Sequence, residues 1–120
     1  MPKIAIIGTG SWGITLAMAL AGNELQVSLW ARTEQEAVQL ANVGPNPNLT
    51  NGLSFPAMLS ITSSLEEALA GAKAVILVVP SRSMRQNMKL VAGYLSQSML
   101  VVSASKGLEI SSGKRMSQVI

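Results

Sequence analysis

Short apolar runs of strand length alternate along the chain with stretches in which apolar residues recur at helical spacing. The runs are nearly continuously hydrophobic, as expected for strands that are buried on both faces of a parallel sheet. Strands are predicted at 3–7, 25–30, 59–63, 74–79 and 99–105, and helical segments at 11–21, 32–41, 63–71, 84–95 and from 112 onwards. This order predicts an α/β fold, a doubly wound and mainly parallel sheet with helices on both faces.

Local signals predict where the helices begin and which way they face. Thr33 with Glu36, and Ser63 with Glu66, have the spacing of a capping box. Ser83 with Gln86 repeats the cap signal at the helix that follows the fourth strand. The apolar face of that helix is predicted to comprise Met84, Met88, Val91 and Leu95.

Two segments carry expectations of their own. The run 99–105 is predicted to be a buried strand that leads directly into Lys106. The connection 43–60 is longer than the usual link in a compact domain, and such links are often functional. It is therefore predicted to face a ligand or another domain, with an ordinary surface loop as the alternative.

Composition narrows the chemistry sharply. The 120 residues fit one domain, 1–120, and contain no His, no Cys and no Asp. Thiolate and imidazole metal sites are excluded, so no metal is expected. Charged residues make up only 12% of the chain, about half the usual share. A face that another domain or subunit covers would explain this, and family drift is the alternative.

The charge pattern bears on partners and location. The net charge of +3 comes from scattered Lys and Arg, without a basic run or aromatic platform for nucleic acid. A small anionic ligand suits this distribution better. The N-terminus has neither signal-peptide nor membrane-spanning character, so a cytoplasmic protein without a membrane partner is expected.

A glycine motif carries the strongest functional signal. Gly8, Gly10 and Gly13 form a G-x-G-x-x-G motif directly after the first strand and at the start of a helix. Gly8 would permit the tight turn, Gly10 the close approach of a pyrophosphate, and Gly13 close packing of helix on strand. The pattern predicts a Rossmann-type dinucleotide site in which the helix N-terminus holds the phosphates. Trp12, at that helix start, should lie near the ligand or under a neighbouring domain.

The residue after the second strand bears on which dinucleotide binds. NAD-specific sites usually place an acidic residue there, whereas this chain has Arg32. An arginine suits a 2′-phosphate or stacks on adenine, so NADPH is favoured over NADH. Across the predicted cleft, Pro80 gives the fourth strand a rigid exit towards the cofactor. Ser81 and Arg82 either touch the cofactor or serve the helix cap.

Lys106 follows the fifth strand at the same predicted edge as Gly8, and Gly107 lets the chain turn away beside it. A lysine there can attract a phosphate or orient a carbonyl oxygen. The alternative is a side chain that extends to solvent from the strand end.

The motifs "GTGSWG", "VVPSRSMR", "SASKGLE" and "GKRMSQVI", in this order, resemble the N-terminal half of NAD(P)-dependent glycerol-3-phosphate dehydrogenase of the bacterial type. The resemblance implies that Ser11, Trp12 and Arg32 bind NADPH. It implies that Lys106 contacts both the cofactor and the substrate, dihydroxyacetone phosphate or sn-glycerol 3-phosphate. The implied reaction is reversible hydride transfer for glycerophospholipid synthesis.

The resemblance also implies a helical C-terminal domain, absent from this chain, that supplies the catalytic lysine. No catalytic residue is therefore expected here, and the chain alone is predicted to be inactive. The loop "NPNLTNG" departs from the family's usual pattern, and a homodimer is left open. Two alternatives remain, the cofactor domain of a β-hydroxyacid type dehydrogenase and a non-catalytic dinucleotide-sensing module.

Overall fold

Strands and helices alternate through the chain as the hydrophobic pattern predicts. The computed structural model describes residues 3–23, 25–43, 58–105 and 120. The strands are β1 Lys3–Ile7, β2 Gln26–Trp30, β3 Leu59–Thr62, β4 Ala74–Leu77 and β5 Leu100–Ser103. The α-helices are α1 Ser11–Gly22, α2 Glu34–Val43, α3 Leu65–Leu69 and α4 Met84–Val91, with single 3₁₀ turns at Ser81–Ser83 and Ala92–Tyr94.

All five strands pair in parallel, in the order β3-β2-β1-β4-β5. The sheet is therefore doubly wound, because the chain moves outward from β1 on one side and then returns to pair β4 against β1 on the other. Ile7, the last residue of β1, stands between Trp30 of β2 and Leu77 of β4. The predicted fold class is confirmed.

Side chains of alternate strand residues build two separate cores, one on each face of the sheet. On one face Ile6, Val27 and Leu29 pack with Ile14 and Ala17 of α1. The other face carries the β1 and β4 residues of opposite parity, covered by α3 and α4. Its largest fully buried members are Ile7, Val75, Leu77, Leu69, Met84 and Val91. Helices on both faces explain why the central strands lack polar alternation.

The predicted apolar face of α4 is correct. Met84 and Val91 are buried in the core, and Met88 and Leu95 pack against the same cluster. The spacing of four, three and four residues thus identified the side of the helix that faces the sheet.

The prediction that 99–105 is a buried strand is wrong. The segment does form β5, but Leu100 keeps 65% of its surface exposed and Val102 is also exposed. Both are apolar residues of an edge strand, and in the described structure α1 covers this face over β1 and β2. Hydrophobicity identified a strand, while position in the sheet decided its burial.

Two predicted helix caps also differ from the structure. Ser64, not Ser63, caps α3, because its hydroxyl accepts the Glu67 backbone N–H at 3.2 Å. Ser83 precedes α4 but makes no side-chain cap, since its hydroxyl donates to the Pro80 carbonyl oxygen at 3.0 Å. The sequence alone does not show which of two neighbouring serines caps α3. Nor does it show which acceptor the Ser83 hydroxyl bonds to.

Some predictions lie outside the described residues. These are the helix from 112 onwards, Lys106, and most of the connection 43–60. Within that connection, Val43 ends α2, and Leu59 begins β3. The division into 1–120 and a further helical domain stays a prediction.

Candidate functional site

The site lies where the order of strands reverses. β1 and β4 are neighbours, yet their connections leave in opposite directions across the sheet. Such a reversal opens a crevice beyond the carboxyl ends of the two strands, where ligands of doubly wound proteins bind. The segment Gly8–Thr9–Gly10, called the glycine turn below, connects β1 to α1 and borders this crevice. Pro80 borders it from the end of β4.

Gly8 and Gly13 are glycines for steric reasons. Gly8 has φ +134°, and an added Cβ would lie 2.1 Å from the Val78 carbonyl oxygen. A Cβ on Gly13 would lie 2.3 Å from the Gly8 carbonyl oxygen and 3.8 Å from the Val78 Cβ. The turn, the first turn of α1 and the end of β4 therefore touch through backbone atoms. This is the close packing that the motif predicts.

Gly10 differs from both of them. It precedes α1 with φ −68°, offers no side-chain cap, and an added Cβ would meet nothing within 4 Å. No contact among the described residues therefore explains a glycine there. The free space lies at the N-terminus of α1, whose first N–H groups lack intrahelical acceptors. These residues fit the phosphates of a dinucleotide, because a ligand can approach the backbone closely at Gly10.

A cavity of about 330 Å³ extends from the glycine turn between the ends of β2 and β4. Arg32 and Arg82 line it, and both side chains are exposed. Asn87 lines it as well but is almost completely buried. The remaining described lining residues are Gly8, Thr9, Gly10, Trp30, Glu36, Val78, Val79, Pro80 and Ser83.

A hydrogen bond joins the glycine turn to α2. The Thr9 hydroxyl donates to the Glu36 carboxylate, and both residues are half-buried. The Glu36 backbone N–H donates to Thr33 Oγ1 at 3.1 Å, so half of the predicted capping box is formed. The Glu36 carboxylate faces the cavity instead of closing the box. It places one negative charge in the cavity that the two arginines also line.

Trp30 forms part of the cavity wall from inside the core. It is buried, and its indole N–H donates to the Ser63 carbonyl oxygen at 3.0 Å. This bond holds the ring at the end of β2, two residues before Arg32. Trp30 therefore borders the cavity with a ring whose position is fixed by the core.

A second cavity, of about 570 Å³, lies between the segments that follow β4 and β5 and has a mainly apolar lining. Trp12 is 52% exposed at its edge. The other described lining residues are Val78, Val79, Pro80, Ala104 and Ser105. Pro80 thus borders both cavities. Trp12 lies where a ligand or a neighbouring domain would cover it, so both alternatives for that residue stay open.

Ser105 connects the end of β5 to the end of β4. Its hydroxyl accepts the Val79 N–H at 2.9 Å and donates to the Leu77 carbonyl oxygen at 3.2 Å. Val79, two residues beyond the end of β4 at Leu77, thus bonds to a side chain and not to a neighbouring strand. Ser105 directly precedes Lys106, which lies outside the described residues. The position of the Lys106 side chain therefore stays a prediction.

The predicted site residues within the described ranges come together at one edge of the sheet. Gly8, Gly10 and Pro80 line the first cavity together with Arg32. Ser11 is the first residue of α1. Sequence reasoning missed four residues of the site, namely Thr9, Glu36, Asn87 and Ser105. Of these, only Thr9 had a signal in the sequence, because it is a polar residue inside the glycine motif.

Neither a metal centre nor a spanning helix occurs in the described part of the chain. Among those residues, no three acidic, histidine or cysteine side chains cluster as ligands. None of the helices there is long and apolar enough to cross a bilayer.

Comparison with known proteins agrees with this geometry. The family model described as "NAD-dependent glycerol-3-phosphate dehydrogenase N-terminus" matches residues 3–120. Glycerol-3-phosphate dehydrogenase [NAD(P)+] of Dehalococcoides mccartyi is 54% identical over the whole of this chain, which spans 34% of that protein. The enzyme of the same name from Syntrophomonas wolfei is 42% identical, again over the whole chain and 35% of the relative.

A solved structure shows the same fold. Glycerol-3-phosphate dehydrogenase from Coxiella burnetii superimposes with a TM-score of 0.88 at 27% identity, over 98% of this chain and 36% of that one. The chain thus spans about a third of the length of the relatives it matches. On these matches, the chain belongs to the family of N-terminal domains of NAD-dependent glycerol-3-phosphate dehydrogenase.

Proposed function

We propose that this chain binds a nicotinamide dinucleotide, NADPH in preference to NADH, across the switch point between β1 and β4. The observation that carries the proposal is the open backbone at Gly10, bordered by Gly8 and Gly13, which have internal steric reasons to be glycine. The space beside Gly10 admits a pyrophosphate to the N–H groups at the start of α1. Ser11, as the first residue of that helix, and Trp12 would border the bound cofactor.

The cavity that contains Arg32 accommodates the adenosine end in this proposal. Arg32 is exposed at the mouth of the cavity, where a guanidinium can bind a 2′-phosphate or stack on adenine. Trp30 provides a rigid wall behind it. The cavity that contains Trp12 would then receive the nicotinamide end. Its mainly apolar lining suits an aromatic ring.

For the whole protein, we propose the reaction of its relatives, interconversion of dihydroxyacetone phosphate and sn-glycerol 3-phosphate in glycerophospholipid synthesis. The bound cofactor would supply or accept the hydride. This chain would hold the dinucleotide, shield it from water on one side, and present Lys106 to the substrate. A cytoplasmic location and a homodimer belong to this proposal as expectations.

Tryptophan fluorescence tests the cofactor half, since Trp30 and Trp12 each border one cavity. Titration with NADPH should give saturable quenching with energy transfer to the nicotinamide, and NADH should bind more weakly. Arg32→Ala should weaken NADPH binding about tenfold, because a charge-assisted hydrogen bond is lost, and leave NADH nearly unchanged. Absence of binding by either dinucleotide would contradict the proposal.

Substrate comparison on the complete protein tests the catalytic half. Oxidation of NADPH should require dihydroxyacetone phosphate and should not occur with a β-keto acid. Lys106→Ala should impair use of the substrate while NADPH still binds. Turnover of the β-keto acid would favour the β-hydroxyacid alternative, and dinucleotide binding without any turnover would favour a sensing module.

A further inference from the structure

Arg82 occupies a position that mirrors Arg32. Arg32 follows β2 and Arg82 follows β4, and these two strands flank β1 in the sheet. The glycine turn at the end of β1 therefore lies between the two arginines. Both arginines line the same cavity, so an anion bound there lies in a pocket that carries two guanidinium groups.

The backbone that carries Arg82 is firmly held. The 3₁₀ turn Ser81–Ser83 is closed by the Ser83 N–H, which donates to the Pro80 carbonyl oxygen at 2.9 Å, and the Ser83 hydroxyl donates to the same oxygen at 3.0 Å. The Asn87 side chain also stabilises the turn, because its Nδ2 donates to the Ser83 carbonyl oxygen at 2.9 Å. Asn87 is only 3% exposed. The turn thus has a fixed position at the cavity wall.

The side chain of Arg82 is free by contrast. Within the described residues, neither the Arg82 nor the Arg32 guanidinium makes a hydrogen bond or an ion pair, and both are exposed. Glu36, the only carboxylate among the described lining residues, is engaged by the Thr9 hydroxyl. With the Glu36 carboxylate counted, the two arginines leave one net positive charge among the described lining residues, which favours an anionic ligand group. A phosphate monoester is such a group, and its oxygens can accept hydrogen bonds from guanidinium groups.

We propose that Arg82 is a second cation for the 2′-phosphate of NADPH, opposite Arg32, and so a specificity-determining residue. The proposal rests on the proposed function, because it takes the cavity as the adenosine end of a dinucleotide site. Arg32 alone would recognise the phosphate from the β2 side. Arg82 adds recognition from the β4 side, across the glycine turn.

The test uses two small probes that differ only in the group at issue, adenosine 2′,5′-bisphosphate and adenosine 5′-monophosphate. Calorimetric titration of the chain should show that Arg82→Ala weakens the bisphosphate about tenfold, with little change for the monophosphate. The loss should shrink as salt is raised, because the contact is electrostatic and exposed. Lys89→Ala removes one positive charge from α4, the helix that follows the turn of Arg82, but not from the cavity lining, and should leave both affinities unchanged.

A double variant sharpens the result. If both arginines bind one phosphate, the losses from Arg32→Ala and Arg82→Ala should not add, because contacts to a shared group are coupled. Equal losses for both probes in Arg82→Ala would mean a contact to adenine or the 5′-phosphate and would overturn the proposal, as would no loss at all. If the unmodified chain binds neither these probes nor NADPH and NADH, the proposed function itself fails. If it binds the bisphosphate and only Arg32→Ala weakens it, the inference on Arg82 alone fails.

Discussion

The glycine turn and the pair of arginines border the same cavity but are constrained in opposite ways. At the turn, backbone atoms are so close that an added Cβ at Gly8 would lie 2.1 Å from a carbonyl oxygen. Arg32 and Arg82 are instead exposed side chains at the ends of fixed backbone segments. The turn contributes to the stability of the fold itself, whereas removal of either exposed arginine is expected to leave the fold intact. Substitutions should therefore separate folding from cofactor choice.

The largest effect is expected for Gly8→Ala. Alanine would be strained at φ +134° and would collide with the Val78 carbonyl group, so the chain should lose roughly 3 kcal/mol or more of its unfolding free energy. Urea unfolding measures this loss. Gly22→Ala is the matched control, because Gly22 ends α1 without positive φ and an added Cβ there meets nothing within 4 Å. Its stability should stay within about 1 kcal/mol of the original. Equal effects at both positions would contradict the steric argument.

Gly10→Ser should leave the fold intact and weaken dinucleotide binding. Serine is at least as good as glycine at the residue before a helix, and the space beside Gly10 is open, so the unfolding free energy should not fall. The added side chain would fill the place of the pyrophosphate and weaken NADPH and NADH alike, by at least about tenfold. Fluorescence titration together with urea unfolding distinguishes the two quantities. Retained affinity would mean that the phosphates bind elsewhere.

The smallest effect is expected for Glu36→Gln. Glutamine can still accept the Thr9 hydrogen bond, but it removes the negative charge that Glu36 places in the cavity. NADPH should bind about two- to fivefold more tightly, because a charge interaction that stays partly open to solvent is worth about 1 kcal/mol or less. NADH affinity is the internal control and should not change. Weaker NADH binding would instead indicate that Glu36 holds the ribose hydroxyls.

Hydrophobic pattern alone located most of the secondary structure. The apolar run at 3–7 is β1, and the helix predicted at 11–21 ends one residue later, at Gly22. These elements lie in the middle of the sheet, where burial on both faces makes the pattern strong. The cap of α3 was displaced by one residue because Ser63 and Ser64 are chemically equal in sequence. Only backbone geometry at Ser64, with ψ 117°, selects the cap.

The residues of the candidate site also fall into two groups, those that the sequence predicts and those that it does not. Gly8, Gly10, Gly13 and Arg32 could be predicted, because their spacing relative to the first two strands carries the signal. The Thr9–Glu36 and Ser105–Val79 hydrogen bonds could not, since each joins residues more than 25 positions apart. Asn87 was missed for a related reason. A single asparagine within a helical pattern gives no indication that it is buried against the turn that carries Arg82.

By itself the sequence determined the α/β alternation, the glycine turn and the chemical types available to bind a ligand, because these depend on neighbouring residues and local periodicity. Tertiary structure decided which of these residues share a cavity and which are left exposed. Arg32 and Arg82 are 50 residues apart in the chain, yet they flank one turn because β4 returns to pair with β1. The same strand order leaves β5 at an edge, so Leu100 is exposed despite its hydrophobicity. Strand pairing sets both results, since it depends on contacts between segments that the local pattern does not encode.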